Sequence, residues 1–182
     1  MSDKLISIGL PTNNGAKKIR RAIDTLLAQT YKNLELIISD NASTDETGKI
    51  CAEYAARAVR VSCVRQKENI GPIANFKFVA QAAKGDYFMW AADDDWWDSR
   101  FVEMLVGVLE TNPRHGIAMS SYRLVYPDGE VKADVIYSGD LDVRNDSYYR
   151  VYKKMMLGAP VLMFIYGMYR KSFLDKLISL SQ

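Results

Sequence analysis

The feature that most constrains the fold is a repeated order of segments in the first 110 residues. Short apolar runs at residues 5–10, 34–39, 60–64 and 87–92 alternate with patterns of helical spacing. Alternating strands and helices predict a mostly parallel sheet with helices on both faces. After residue 110 the runs 117–126 and 131–137 flank Pro127-Asp128-Gly129, which predicts an antiparallel hairpin. We therefore expect a single α/β domain with a C-terminal hairpin region.

The composition argues against several classes of protein. The chain has 182 residues and a net charge of +2, from 24 basic and 22 acidic residues, so we expect no nucleic-acid partner. His115 is the only histidine, which leaves little material for a zinc site or a Ser-His-Asp triad. Cys51 and Cys63 lack metal-ligand spacing and are predicted to be reduced core residues of a cytosolic protein. No apolar run approaches the roughly 20 residues of a transmembrane helix.

Three consecutive aspartates follow the fourth predicted strand. Asp93, Asp94 and Asp95 repel one another, and each favours water or a counter-charge. Mg²⁺ or Mn²⁺ would supply that charge through oxygen ligands. The alternative is a solvated acidic turn that caps the helix beginning near Asp98.

Polar residues also follow the first two predicted strands. In a doubly wound sheet these ends meet at one edge, where ligands of such sheets bind. The strand-end residues are Thr12, Asn13 and Asn14, then Asp40 and Asn41, then the three aspartates. The chain has no GxGxxG and no GxxxxGK[ST] motif, the glycine-rich loops that bind phosphate. A metal ion held by aspartate would therefore have to neutralise the charge of a bound phosphate.

Other local patterns have structural interpretations. Ser43 and Glu46 have capping-box spacing, which predicts a helix start and favours a structural role for Ser43 and Asp45. The basic cluster Lys17-Lys18-Arg20-Arg21 is interpreted as the solvated face of a helix, and Arg170-Lys171 as surface charge. One of Trp96 and Trp97 is expected in the core, while the other is a candidate contact for a sugar or acceptor.

Several ordered motifs resemble the family 2 glycosyltransferases of the GT-A (Rossmann-like) fold. They are Ser7-Ile8-Gly9-Leu10-Pro11-Thr12-Asn13-Asn14, Ala28-Gln29-Thr30-Tyr31, Glu35-Leu36-Ile37-Ile38-Ser39-Asp40-Asn41-Ala42-Ser43-Thr44-Asp45, Asn69-Ile70-Gly71, Ala83-Lys84-Gly85-Asp86-Tyr87 and Ala92-Asp93-Asp94-Asp95. The resemblance covers residues 5 to about 110 well and is loose beyond them. It implies an inverting, metal-dependent enzyme that uses a UDP- or dTDP-linked sugar.

The resemblance also implies roles for particular residues. Asp40 would accept the N–H of the base, Asp93 would face the ribose or diphosphate, and Asp94 and Asp95 would hold Mn²⁺ or Mg²⁺ in a DXD-like motif. The whole nucleotide-sugar site would comprise Pro11, Thr12, Asn13, Asn14, Asp40, Asn41, Asn69, Asp93 and Asp94. Two positions depart from the family pattern. Asn13 stands where an aromatic residue is frequent, and Ala92 stands where an aspartate is frequent.

The implied domain has a nucleotide-sugar-binding half at 1–110 and a partial acceptor-side half at 111–182. The resemblance places the general base after a last helix, so we expect it beyond Gln182 and expect this chain to be a fragment. A glycan or glycolipid acceptor, cell-surface polysaccharide synthesis and a cytoplasmic location, peripheral to the inner membrane face, are likewise implied. The alternatives are a nucleotide-sugar-binding fragment without the base and a phosphohydrolase or phosphotransfer domain. The last requires an aspartate directly after the first strand, where Pro11-Thr12 stands.

Overall fold

The computed structural model describes residues 3–126, 129–135 and 165–179. Within these residues the helices are α1 (Ile19–Leu27), α2 (Thr47–Arg57), α3 (Pro72–Ala82), α4 (Phe101–Thr111) and α5 (Lys171–Ser179). The strands are β1 (Ile6–Thr12), β2 (Leu34–Asp40), β3 (Val61–Arg65), β4 (Tyr87–Trp90), β5 (Ile117–Ala118), β6 (Tyr122–Val125), β7 (Val131–Val135) and β8 (Met168–Arg170). Much of the predicted acceptor-side half, residues 136–164, lies outside the described part of the chain.

Six strands form one sheet in the order β3-β2-β1-β4-β8-β5. The first four are parallel to one another, while β8 runs antiparallel to both β4 and β5. The predicted mostly parallel sheet is therefore confirmed. Residues 117–118 were expected in the hairpin, and that part of the prediction is wrong. They pair with β8 instead. This pairing buries Ala118, which is 5% exposed, in the main core.

Helices cover both faces of the sheet, as predicted. Alternate residues of each strand point to opposite faces. On one face Ile8 of β1 packs with Ile23 of α1 in a core that also includes buried residues of α2 and α4. On the other face α3 lies so close to β1 that a Cβ on Gly9 would come within 2.7 Å of Val79. Only glycine permits that approach without displacing a neighbour.

The described residues fall into two compact units. The first comprises residues 3–118 and 168–179 and contains the six-stranded sheet. The second lies within Met119–Gly167 and contains the antiparallel pair β6–β7, which confirms a separate hairpin. No helix in the described part of the chain is long and apolar enough to cross a membrane.

Arg170 corrects the interpretation of residues 170–171 as surface charge. Its Nη1 donates to the Tyr87 hydroxyl at 2.9 Å, and its Nε donates to the His115 carbonyl at 2.9 Å. Its Nη2 donates to the carbonyl of Leu109. The guanidinium therefore ties β8 to β4 and to the end of α4, a structural role for which its five fixed N–H donors are suited.

Candidate functional site

The site lies where β1 and β4 separate. Pairing between these two strands ends at Gly9 and Trp90, whereas β1 continues beside β2 as far as Thr12, opposite Asp40. Pro11 is buried in this extension and lacks an N–H, which is tolerated where β4 offers no further partner. Successive strands are added on opposite sides of β1, so this is the topological switch point where α/β sheets bind ligands.

Thr12 and Asp93 join the ends of β1 and β4 across this crevice. The Thr12 hydroxyl donates to Asp93 Oδ2 at 2.5 Å. Gly15 follows in the loop after β1, and a Cβ there would lie 2.7 Å from Thr12 Oγ1 and would collide with Asp93 Oδ2. The absence of a side chain at Gly15 therefore lets the loop close against the Asp93 carboxylate.

Asp40 is a fully buried carboxylate with one oxygen unsatisfied. Its Oδ1 accepts the N–H of Ser43 at 3.0 Å. No hydrogen-bond donor in the described residues reaches Oδ2, although Arg65 Nη1 forms an ion pair with it at 3.5 Å. Gly48 lies against the same oxygen, since a Cβ there would be 2.8 Å from Oδ2. A buried acceptor without a donor is costly. Oδ2 has almost no accessible surface, so a ligand N–H would satisfy it once the half-exposed Arg65 side chain beside it moves aside.

Asparagine side chains link the loops that follow β1, β2 and β3. Asn13 Nδ2 donates to the carbonyl of Asn41 at 2.8 Å. Asn41 Nδ2 donates to Asn69 Oδ1 at 2.9 Å, and Asn41 Oδ1 accepts the N–H of Ile70 at 2.9 Å. Asn13 therefore holds the loop through its amide at the position where the family frequently has an aromatic residue. These three predicted site residues lie in one hydrogen-bonded network.

Ser43 has a different role from the predicted one. The helix α2 begins at Thr47, with Glu46 at the N-cap and no side-chain cap there, so the predicted capping box is wrong. The Ser43 hydroxyl accepts the N–H of Asn14 at 2.9 Å, which joins the first and second loops. Asp45 does support the helix start, because its Oδ1 accepts the N–H of Thr47 at 3.0 Å. Its two hydrogen bonds with Thr47 lower the pKa of the Asp45 carboxyl.

Two residues of these loops have left-handed backbone conformations. Asn14 has φ of +56° and Ala42 has φ of +55°. Asparagine adopts this region readily, and Asn14 Oδ1 accepts the N–H of Thr44 at 2.9 Å. Ala42 has no such compensation, and its N–H donates to the carbonyl of Asp40 at 2.8 Å. The strained turn keeps the chain folded closely around Asp40.

The three aspartates do not converge on a single point. Asp93 contacts Thr12, whereas Asp94 Oδ2 lies 3.3 Å from Lys18 Nζ. Burial raises the pKa of Asp93, and the Asp94 charge adds to this rise against the lowering effect of the Thr12 hydrogen bond. Desolvation, then the Asp94 charge, also raises the pKa of Asp95, although the surface of Asp95 is solvent-exposed. The rise in pKa should be larger for Asp93 than for Asp95, because the Asp93 side chain is less exposed to solvent.

A divalent cation would relieve this repulsion. Among the described residues no group of three or more His, Cys, Asp or Glu side chains is arranged to hold a metal. Mg²⁺ and Mn²⁺ nevertheless bind sites that provide one or two carboxylates, when substrate phosphates supply further oxygens. The residues therefore fit an ion that arrives with a phosphorylated ligand, with Asp94 and Asp95 as the candidate ligands.

The two tryptophans after the aspartates have separate environments. Trp97 is 8% exposed and belongs to the core. Trp96 is 45% exposed, and the guanidinium of Arg21 lies 4.0 Å from its ring centre. Arg21 Nη2 also donates to the carbonyl of Asp94 at 3.1 Å. Arg21 thus holds Trp96 and the aspartate loop together at the edge of the site.

Gln29 is a supporting residue to which sequence analysis assigned no role. It is fully buried, and its Nε2 donates to the carbonyl of Asp98 at 2.8 Å. Its Oε1 accepts the N–H of Val102 at 3.0 Å. Gln29 therefore fixes the segment between the aspartates and α4 to the end of α1. The motif Ala28-Gln29-Thr30-Tyr31 marked the position, but nothing in its pattern indicated these partners.

Comparisons with known proteins identify the family to which this chain is similar. The family model described as glycosyl transferase family 2 matches residues 7–178. An uncharacterized glycosyltransferase of Rickettsia typhi is 34% identical over 145 residues, which cover 76% of this chain and 44% of that protein. An uncharacterized protein of Mycobacterium tuberculosis H37Rv is 39% identical over 119 residues, covering 64% and 34% of the two chains. This chain therefore spans less than half the length of these curated relatives.

Solved structures share the fold at low sequence identity. Staphylococcus aureus TarS 1–349 in complex with UDP has a TM-score of 0.70 and 15% identity, covering 94% of this chain and 48% of that one. The mannosyltransferase PcManGT from Pyrobaculum calidifontis, in complex with GDP-Man and Mn²⁺, has a TM-score of 0.67 and 18% identity, covering 96% and 46%. These likenesses confirm the GT-A fold predicted from the sequence.

Proposed function

From the premise that the chain belongs to glycosyl transferase family 2, we propose that it binds a nucleotide-diphosphate sugar at the β1–β4 crevice. The protein then transfers the sugar to an acceptor hydroxyl. The proposed donor is UDP- or dTDP-linked, and the transfer proceeds with inversion. We further propose a glycan or glycolipid acceptor in cell-surface polysaccharide synthesis at the cytoplasmic face of the membrane, as the family resemblance implies.

The observation that carries this proposal is the unsatisfied oxygen of Asp40. Uracil and thymine each present an imide N–H between two carbonyl groups, which needs an acceptor. Asp40 Oδ2 is a buried acceptor without a donor in the described residues, and the Arg65 guanidinium beside it can donate to a carbonyl of the base. Cytosine presents a ring nitrogen lone pair at that position, so it would face the carboxylate unfavourably.

The diphosphate of the donor would lie towards the aspartates. The crevice continues from Asp40 past Thr12 to Asp93, because Thr12 is opposite Asp40 in the sheet and donates to Asp93. Asp94 and Asp95 would hold Mg²⁺ or Mn²⁺, which supplies positive charge for the leaving diphosphate when bound. The structure of PcManGT, a protein of the same fold, is a complex with GDP-Man and Mn²⁺, and this supports the metal proposal.

Calorimetric titration of the purified chain tests the proposal. We expect UDP and dTDP to bind in the presence of Mn²⁺ and to bind much more weakly with EDTA. Asp94→Ala should lose the Mn²⁺ effect. Glu53→Gln on the outer surface of α2 should retain it, since within the described part of the chain the Glu53 carboxylate pairs with the exposed Arg20. Failure of the folded wild-type chain to bind any nucleoside diphosphate would contradict the proposed donor site.

A further inference from the structure

The loop after β1 contacts the aspartates at every third residue. Thr12 and Gly15 both lie against Asp93, and Lys18 pairs with Asp94. The backbone of Lys18 is fixed by its N–H, which donates to the carbonyl of Gly15 at 2.9 Å. Lys18 is the N-cap of α1, so its side chain starts from a rigid position next to the candidate metal ligands.

The side chain of Lys18 is nevertheless free to move. The Lys18–Asp94 pair has a separation of 3.3 Å, and its two side chains are 56% and 52% exposed. Ion pairs this exposed are weak, so the ammonium can leave Asp94 at little cost. Arg21 differs because it donates to the Asp94 carbonyl and stacks over Trp96. Of the two basic side chains beside the aspartates, Lys18 is therefore the mobile one and Arg21 the fixed one.

Charge accounting indicates where the Lys18 ammonium would go. The three aspartates carry three negative charges, and Lys18 with Arg21 returns two, which leaves a net charge of about −1. A divalent cation at Asp94 would displace Lys18 from that carboxylate by repulsion and make the local charge positive. The diphosphate brought to the same cation carries two or more negative charges. Lys18 would then lie within reach of its oxygens.

We propose that Lys18 is a diphosphate-binding residue of the donor site, which pairs with Asp94 in the free protein and turns to the phosphate oxygens of the donor in the complex. This inference rests on the proposed function. It assigns to Lys18 a role in binding and not only in the solvated face of α1. A lysine suits this role, since its ammonium is a compact charge on a flexible stem.

The test compares Lys18→Met with Lys18→Arg and with Lys17→Met. Lys17 is the adjacent exposed lysine and makes no ion pair or side-chain hydrogen bond within the described residues, so it is a matched control. With Mn²⁺ present, Lys18→Met should weaken UDP binding about tenfold, the loss of one charge-assisted hydrogen bond. Lys18→Arg should retain most of the affinity, and Lys17→Met should stay within about twofold of wild type.

Two further readouts separate binding of phosphate from a structural effect. Uridine has no phosphate, so Lys18→Met should bind it as wild type does. Mn²⁺ titrated without nucleotide, followed by electron paramagnetic resonance of the free ion, should bind Lys18→Met at least as tightly as wild type, because the competing ammonium is gone. Unchanged thermal unfolding would show that the variant is folded.

The outcomes distinguish this inference from the proposed function. Wild-type binding of UDP with equal affinities for Lys18→Met and Lys17→Met would overturn the role of Lys18 alone. An equal loss of UDP and uridine affinity in Lys18→Met would overturn it too, since phosphate contact would not be the cause. No UDP binding by the folded wild-type chain would overturn both.

Discussion

Replacing Asp40 by asparagine separates recognition of the base from support of the fold. The substitution keeps the Oδ1 oxygen that accepts the Ser43 N–H and converts the unsatisfied Oδ2 into an NH₂ donor. A hydrogen bond to a charged group contributes about 1.5–3 kcal/mol. Loss of that bond to the base should weaken UDP binding about ten- to a hundredfold.

Stability should respond in a different way. Asp40 Oδ2 receives no hydrogen bond, and its pair with Arg65 involves a guanidinium side chain that is 56% exposed. The Asp40 carboxylate of this pair is fully buried, so removing its charge takes away an attraction and a desolvation penalty together. The free energy of unfolding of Asp40→Asn should therefore fall by no more than about 1–3 kcal/mol, because the buried NH₂ group replaces one unsatisfied atom by another beside the Arg65 guanidinium.

The assay is calorimetric titration of UDP and CDP against wild type, Asp40→Asn and the surface control Glu53→Gln, with urea unfolding of each protein. The new NH₂ group can donate to the ring nitrogen of cytosine, so Asp40→Asn should lose its preference for UDP over CDP. Glu53→Gln should keep wild-type selectivity. An unchanged UDP preference in Asp40→Asn would refute the assignment, and so would a large loss of stability, which would make Asp40 a structural residue.

Other substitutions test the supports of the site. Gly15→Ala should destabilise the protein by about 1–3 kcal/mol and weaken UDP binding, because its Cβ would force Asp93 aside; an unchanged urea midpoint would contradict this. Gln29→Ala should cost about 1–3 kcal/mol, since it leaves the buried N–H of Val102 without a partner, and thermal unfolding measures the loss. Arg170→Lys should cost about 2 kcal/mol or more in urea unfolding, because an ammonium cannot replace the forked contacts. Burial, then the Glu110 hydrogen bond, raises the pKa of Tyr87 to about 12 against the opposing Arg170 charge. Its stabilisation is complete below the unfolded pKa near 10 and is lost as the pH rises towards 12. Tyr87→Phe should therefore flatten the fall in stability over that range, and equal slopes would argue against it.

Much of the fold follows from local sequence signals. Short apolar runs that alternate with helical spacing predicted a mostly parallel sheet with helices on both faces, because strands buried on both sides need covering helices. The strand ends also indicated where polar groups would gather, since carboxyl ends of parallel strands share one edge. At that edge Thr12 lies opposite Asp40 in the sheet, and its hydroxyl donates a hydrogen bond to Asp93.

The remaining contacts depend on partners distant in sequence. Arg170 lies 83 positions from Tyr87 and Gln29 lies 73 positions from Val102, so no local pattern predicts either contact. Ser43 had the spacing of a capping residue, yet its hydroxyl accepts from Asn14, because the tight turn at Ala42 directs it to the first loop. Lys18 matched a solvated helix face, and only the folded loop brings it to Asp94.

A crystal structure of the chain with UDP and Mn²⁺ tests the central claim most directly. We predict that the uracil imide nitrogen lies about 2.9 Å from Asp40 Oδ2, a normal hydrogen-bond distance, and that the diphosphate lies beside Asp94 with Mn²⁺ between them. A nucleotide bound elsewhere, or bound in the crevice with Asp40 Oδ2 still lacking a donor, would contradict the account.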